Sequence, residues 1–563
     1  MSYRKNILFF ALISFFIFIS RWLPSYYLFD ETTSVKIILE SITDGYYYFP
    51  LVKYLSIFDF NNSFDPNHTN LDNLMLPFYS IIIHSFFYKF FGSFSFILIE
   101  YFSIFIFLII IFSLFKRFYS QEISILFSMV IFSIPVIMSL LPISEFTSLK
   151  IIKDNIYSLR FPRPLITTLY LFFFIYLISS FENKEFLNKK NSFIIGIIFA
   201  LTLSSFYYFF FLQIVIIFLY ILYRYKNFFL KKMLINWGSI LVIMFTFLIF
   251  SLPLIINILF SESDYSQRLG IINIDFEQKI ILMKYFFSRF LKTEFLFFFI
   301  TVSIYIFYIN NQKIKNYRFI NLFYLFFISS AITPLFFILI TTKTGILYHY
   351  NNIIVIFAFL LVLIILFNLF DVISLKLLNI RILNVLSALL ILVCISFNFY
   401  KTYNNTEDRI KERLEFSTVS DLILENHNLS VSTLMTFDNR FMVWSVLNDI
   451  KFLNLSNFII TPKKDEMIED DLIKALKFLD LNSNDFSSFI ANKKASWRYI
   501  NYDLNTFFFY KYIANPVKTY NNSKDFDPEV YNYIMNSSPI NFEQSIIPNF
   551  ELERLKEKFN LLS

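Results

Sequence analysis

Eleven mostly apolar runs, each near the length of a bilayer crossing, recur between residues 7 and 400. They are Ile7–Leu23, Phe94–Phe115, Ile123–Leu141, Leu165–Phe181, Phe193–Phe206, Tyr207–Tyr223, Leu234–Phe260, Phe295–Ile309, Phe319–Ile340, Tyr350–Phe370 and Ile382–Tyr400. A hydrocarbon core about 30 Å thick needs around 20 such residues as a helix. Repetition at this density leaves one fold class: an all-α polytopic membrane protein with about 11 transmembrane helices. Composition agrees, since 57% of the 563 residues are hydrophobic and only 16% are charged. So much apolar surface cannot be hidden in a water-soluble enzyme, and it excludes disorder. Only 6 glycines are present, and neither a phosphate-binding P-loop nor a dinucleotide fingerprint occurs. That argues against an ATP-driven pump and a nicotinamide enzyme.

Basic residues in short loops orient the chain. Arg4 and Lys5 place the N-terminus in the cytoplasm. Lys116-Arg117 and the segments 182–190, 224–232, 310–318 and 371–381 then fall on the same side. This pattern requires two short crossings between Phe193 and Tyr223, because one helix there would invert everything after it. The outer loops are 24–76, 142–164, 261–294 and 341–349, and residues 1–400 form the membrane domain. Residues 401–563 carry a net −4 while residues 1–400 carry a net +11, so the tail meets a different solvent. Its short apolar runs read as strands at Val431–Phe437, Phe452–Leu455, Phe458–Thr461 and Thr506–Tyr512, and its helices as Asp470–Phe478 and Glu551–Lys558. A small α+β extracytoplasmic domain fits.

The first outer loop is the most informative stretch. It opens on Asp30-Glu31, continues through Gly45-Tyr46-Tyr47-Tyr48-Phe49-Pro50 to Met75-Leu76-Pro77-Phe78, and ends at Phe91-Gly92. Pro77–Phe91 is too short to span comfortably and is expected to lie on the outer surface. An acidic pair at a membrane boundary can act as a general base or hold a divalent metal ion. Solvated loop acids are the plainer reading of the pair alone.

The order of these features resembles the GT-C superfamily of membrane glycosyltransferases, in particular its protein mannosyltransferase and aminoarabinose transferase branch. There the first outer loop reads acidic-Glu, a helix, Gly-x-x-x-x-Pro, a Pro-Leu pair, a helix and Phe-Gly. Asp30-Glu31, Gly45 with Pro50, Pro77-Phe78 and Phe91-Gly92 match those positions, with Met75-Leu76-Pro77-Phe78 standing for the family's Lys-Pro-Pro-Leu. The resemblance covers about the first 120 residues. It implies an enzyme of the bacterial inner membrane that moves a sugar from a polyprenyl-phosphate donor to a glycan, lipid or protein acceptor on the outer face. It also implies inversion by single displacement, with Asp30 as base and Glu31 as its neighbour or a metal ligand.

A phosphate leaving group needs directed positive charge. Arg160 and Arg163, bracketed by Pro162 and Pro164 before a span, have the planar fork that matches phosphate. Snorkelling to lipid headgroups is the alternative for this pair. Lys343 and His349 form a second basic patch where another span begins; His349-Tyr350 stands where the family often has Arg-Tyr. His68 and His84 add potential metal ligands, although no metal-binding spacing accompanies them. Arg268, Asp275 and Glu277 of the third outer loop could also face such a site. Two other functions share this architecture. An O-antigen-type polymerase or ligase relies on Arg and His instead of a first-loop acid. A lipid or glycan transporter needs ionisable groups within its spans, where Glu100 is the clear example and Arg21 lies at a span end.

Overall fold

A computed structural model describes residues 3–29, 45–58, 77–140, 150–152, 154, 156, 165–181, 188–228, 231, 235–260, 272–273, 276–290, 293–340, 343–344, 347–377, 380–404, 406–426, 433–436, 439–454, 464–478, 480, 482 and 549–561. In chain order the membrane part contains α1 (Tyr3–Phe29), α2 (Gly45–Ser56), α3 (Phe78–Phe91), α4 (Phe94–Phe115), α5 (Gln121–Leu140), α6 (Leu165–Ser180), α7 (Lys189–Tyr225), α8 (Trp237–Phe260), α9 (Phe276–Phe290), α10 (Thr293–Asn311), α11 (Tyr317–Ile340), α12 (Leu347–Leu377) and α13 (Ile380–Asn404). Eight of these are long and apolar enough to cross a membrane: α1, α4, α5, α7, α8, α11, α12 and α13. Two more, α6 and α10, contain shorter apolar stretches. The chain is therefore an all-α polytopic membrane protein.

The 37 residues of α7 do not form one rod. Phe206 leaves helical geometry at φ −152° and ψ 86°. Across it, Thr202 Oγ1 donates to Gln213 Oε1 at 2.8 Å, and the rings of Phe199 and Phe210 lie 5.6 Å apart. Residues eleven apart in a straight helix are separated by about 16 Å of rise. Both limbs also reach α6: Phe199 packs near Phe174, while Arg224 donates to the carbonyl of Phe181, just past the end of α6. The chain thus doubles back at Phe206 into limbs 189–205 and 207–225. Helix α8 packs closely on the first limb at Gly196, where an added Cβ would lie 2.7 Å from the Ile243 carbonyl oxygen. Small residues permit such approach between membrane helices.

The bundle has two distinct ends. One gathers the basic turns. Gln121 bonds Asn6 at 3.0 Å, Arg117 donates to the Tyr176 carbonyl and Ser179 at 2.8 Å, and Lys315 pairs with the buried Asp371 at 2.8 Å. Phe118 stacks on Phe319 at 4.2 Å, and Asn321 reaches Tyr223 at 3.4 Å. We call this end the basic face. The opposite end, the loop face, holds α2, α3, the end of α1 and the starts of α4, α6 and α12. There β1 (Ile272–Asn273) and β2 (Lys343–Thr344) pair antiparallel, joining two expected outer loops.

Beyond α13 the chain continues as α14 (Thr406–Asn426), β3 (Thr433–Thr436), α15 (Asn439–Leu447), β4 (Lys451–Asn454), α16 (Asp465–Phe478) and α17 (Asn549–Leu561). β3 and β4 pair in parallel, with α15 as the crossover between them. β3 falls within the expected run Val431–Phe437, β4 overlaps Phe452–Leu455 but begins one residue earlier, and α16 and α17 extend the two expected helices. The expected strands Phe458–Thr461 and Thr506–Tyr512 lie outside the described residues. Arg554 donates from Nη2 to both carboxylate oxygens of the buried Glu469 at 3.0 Å, tying α17 to α16.

Candidate functional site at the loop face

Three packed assemblies build the loop face. The first is α2 on α3: Tyr48, Leu51, Val52 and Leu55 bury against Phe78 and Ile81. Gly92 explains the Phe-Gly ending of this segment. It caps α3 at φ +54°, which disfavours any side chain, while its N–H closes onto the Tyr88 carbonyl at 2.8 Å. His84 is buried at the centre of α3, with Nδ1 2.8 Å from the Ser80 carbonyl oxygen. Burial lowers its pKa to about 4, partly offset by that hydrogen bond. His84 therefore packs as a neutral ring, facing Phe96 at 5.7 Å.

The second assembly joins the tail to the first outer loop. Phe49 of α2 stacks on Phe96 at 4.7 Å and shares a core with Phe416, Phe441, Trp444 and Ile450 of the tail. Trp22, Tyr54 and Tyr88 pack against the same cluster. Lys53 completes the joint, donating to the Val446 carbonyl at 2.6 Å and pairing with Asp449. Burial, then the charge of Asp449, pushes the Tyr88 phenol up to about 12.

The third assembly surrounds the reversal at Phe206. His349, two residues into α12, lies 5.6 Å from the Phe206 ring and 4.7 Å from Tyr208. Tyr350 is buried against Tyr208 and Phe337 at 4.9 and 5.9 Å. Ser204 and Ser205 are also buried in this turn, and neither hydroxyl has a partner among the described residues. The hydroxyl of Tyr350 likewise lacks one. An imidazole thus sits among buried polar groups where one helical hairpin meets the start of another span.

Arg21 and Glu100 meet at 2.9 Å near the same face. The span acid flagged by the sequence is consequently charge-paired, with its side chain 7% exposed. Beside them, a cleft of about 420 Å³ separates the ends of α1 and α13, lined by Leu23, Pro24, Tyr27, Phe399, Tyr400 and Tyr403. Helix α1 runs through Pro24 to Phe29, beyond the expected start of the first outer loop at Pro24. Tyr27, which lines this cleft, stands three positions before Asp30 in the sequence.

Among the six expected site residues, His349 is placed with its side chain and Lys343 through its strand pairing with Asn273. Asp30, Glu31, Arg160 and Arg163 lie outside the described residues, as do His68, Arg268 and Asp275. Glu277 lies in α9. Among the described residues no group of three or more His, Cys, Asp or Glu side chains is arranged to hold a metal ion. Sequence reasoning missed the surroundings of His349. Its aromatic neighbours are ordinary members of Phe-rich runs, and only the reversal at Phe206 brings them to it. The cleft was likewise hidden, because α1 and α13 lie far apart in the chain. Comparison with protein-family models, with curated proteins and with solved structures returns no match.

Proposed function

We propose that this protein is a membrane glycosyltransferase of GT-C type that transfers a sugar from a polyprenyl-phosphate donor to an acceptor at the outer face of a bacterial inner membrane. In this reading the membrane domain crosses eleven times. The two limbs of α7 count separately, and α6 and α10 both cross. The loop face is outside, and residues 401–563 are an extracytoplasmic α+β domain that steadies the first loop through the Lys53–Asp449 contact. The observation that carries the reading is the apolar cleft between Leu23 and Tyr403 at the end of α1, a helix that stops at Phe29, one position before Asp30 in the sequence. A lipid-linked donor needs an apolar channel at that depth, with a polar acceptor approaching from the aqueous side.

The chemistry is a single displacement. Asp30 accepts the proton of the acceptor hydroxyl as its oxygen attacks the anomeric carbon. The bond from that carbon to the phosphate oxygen breaks, its electron pair leaves with the lipid phosphate, and configuration inverts. Arg160 and Arg163, with Lys343 and His349, stabilise the departing phosphate, and Glu31 supports Asp30 directly or through a divalent ion. Asp30→Asn keeps shape and hydrogen bonding while removing basicity. It should lower transfer by about 100-fold or more, with donor binding retained. Normal transfer by purified Asp30→Asn would sink the assignment.

A second reading draws on His349. An O-antigen-type polymerase or ligase built on Arg and His needs no first-loop base, and the imidazole at the Phe206 reversal is the observation in its favour. The same Asp30→Asn assay separates the two. A lipid or glycan transporter has less support, because the clear acid within the spans is paired with Arg21.

A further inference from the structure

Helix α9 has two apolar sides. Leu282 and Phe286 are buried in the main core, while Phe276, Ile280 and Phe287 are 74%, 52% and 45% exposed. At 3.6 residues per turn, these three exposed residues fall within about 40° of one another around the helix axis. Lys279 lies about 60° to one side of Phe276 and Lys284 about 80° to the other. Neither lysine has an ion-pair partner among the described residues. An apolar stripe bordered by lysines is the pattern of a helix in a headgroup layer, with rings among the acyl chains and ammonium groups raised to phosphate.

Two neighbours set the depth. Just before α9, β1 pairs with β2, and β2 precedes α12 at the loop face. Just after it, α10 turns Phe297, Ile300, Ile304 and Phe307 outward, each more than half exposed. These recur at helical spacing and form a face towards hydrocarbon. Helix α9 is thus followed, after a two-residue link, by a helix with a membrane-facing surface.

We propose that α9 is an interfacial helix whose exposed face binds anionic phospholipid in the leaflet on the loop side. The apolar stripe fixes its depth, and Lys279 and Lys284 select the headgroup charge. Nothing in this inference depends on sugar transfer.

The test uses the full chain in vesicles of phosphatidylcholine, with and without phosphatidylglycerol. Nitroxide is attached at Ile280→Cys or Phe287→Cys; the native Cys394 is buried and its thiol bonds Ser133 at 3.3 Å. Both labels should collide more often with oxygen than with an aqueous nickel chelate. A higher nickel collision rate would put this face in water, and shielding from both reagents would mean that protein covers it; either result overturns the proposal. The second arm measures phosphatidylglycerol retained through purification from mixed vesicles. The double variant Lys279→Gln with Lys284→Gln should retain about 30-fold less, the factor that roughly 1 kcal/mol per lysine at an anionic surface gives for two lysines. Unchanged retention would overturn the choice of lipid.

Discussion

His84 illustrates how far burial can move a residue from the role its type suggests. A histidine in a short segment at the outer surface reads as a potential metal ligand. Inside α3 the ring is closed off, its Nδ1 faces the Ser80 carbonyl, and its pKa falls to about 4. The sequence shows the imidazole but not the closure, which is made by α4 folding back over α3 through Phe96. The shift has a signed consequence. Between pH 6.5 and 4 the unfolded chain binds a proton at His84 that the folded chain refuses, so packing at α3 weakens as pH falls through that window. At about 1.4 kcal/mol per pH unit the loss approaches 3 kcal/mol at the acid end. Hydrogen exchange of the α3 amides, followed from pH 7 to 5, should show progressively faster opening. His84→Gln should flatten that dependence, and an equal slope in the variant would assign the effect to other groups. Gly92 shows the reverse case. Its place after an apolar helical run made it legible as a stop, and its positive φ is why glycine serves there.

The elements were legible wherever an apolar run reached crossing length, because hydrocarbon leaves a run of that kind little choice but helix. The reversal in α7 left a fainter trace. No glycine or proline marks Phe206, and local propensity favours one continuous helix through it. Only the placement of basic residues on either side required two crossings, a long-range constraint that local preference does not encode. In the tail, α14 and α15 were not anticipated. Residues 406–426 lack a clear apolar period, and Asn439–Leu447 is a short segment that finds its partner in α2. The reversal can be tested directly. With Thr202→Cys and Gln213→Cys in one chain, a short bis-maleimide should join the two thiols, since the native side chains touch at 2.8 Å. A straight helix would hold these positions about 16 Å apart along its axis, and failure to crosslink would restore the single-span reading.

At the scale of the whole molecule, the tail is joined to the loop face by contacts that no local pattern announces. Lys53 and Asp449 are 396 positions apart, and Trp444 and Phe49 share one buried core. The acids and arginines proposed for chemistry were visible from residue type and order, yet their mutual geometry depends on segments beyond those described. The arrangement of the two faces carries the remaining prediction. Arg117, Arg224 and Lys315 all lie at the basic face, while α13 delivers residue 404 to the opposite end beside α1. Positive charge is retained on the cytoplasmic side during insertion, so the basic face should be inside and the tail outside. An odd number of crossings follows, as eleven requires and an unreversed α7 would not give. Asn311 and Asn404 are both exposed and stand at opposite faces, so each can report its side in the intact chain. A membrane-impermeant maleimide should label Asn404→Cys in intact cells and Asn311→Cys only after permeabilisation. Labelling of Asn311→Cys alone in intact cells would invert the molecule and remove Asp30 from the outer surface. Labelling of both, or of neither, would break the opposition of the two faces on which the eleven-crossing count rests.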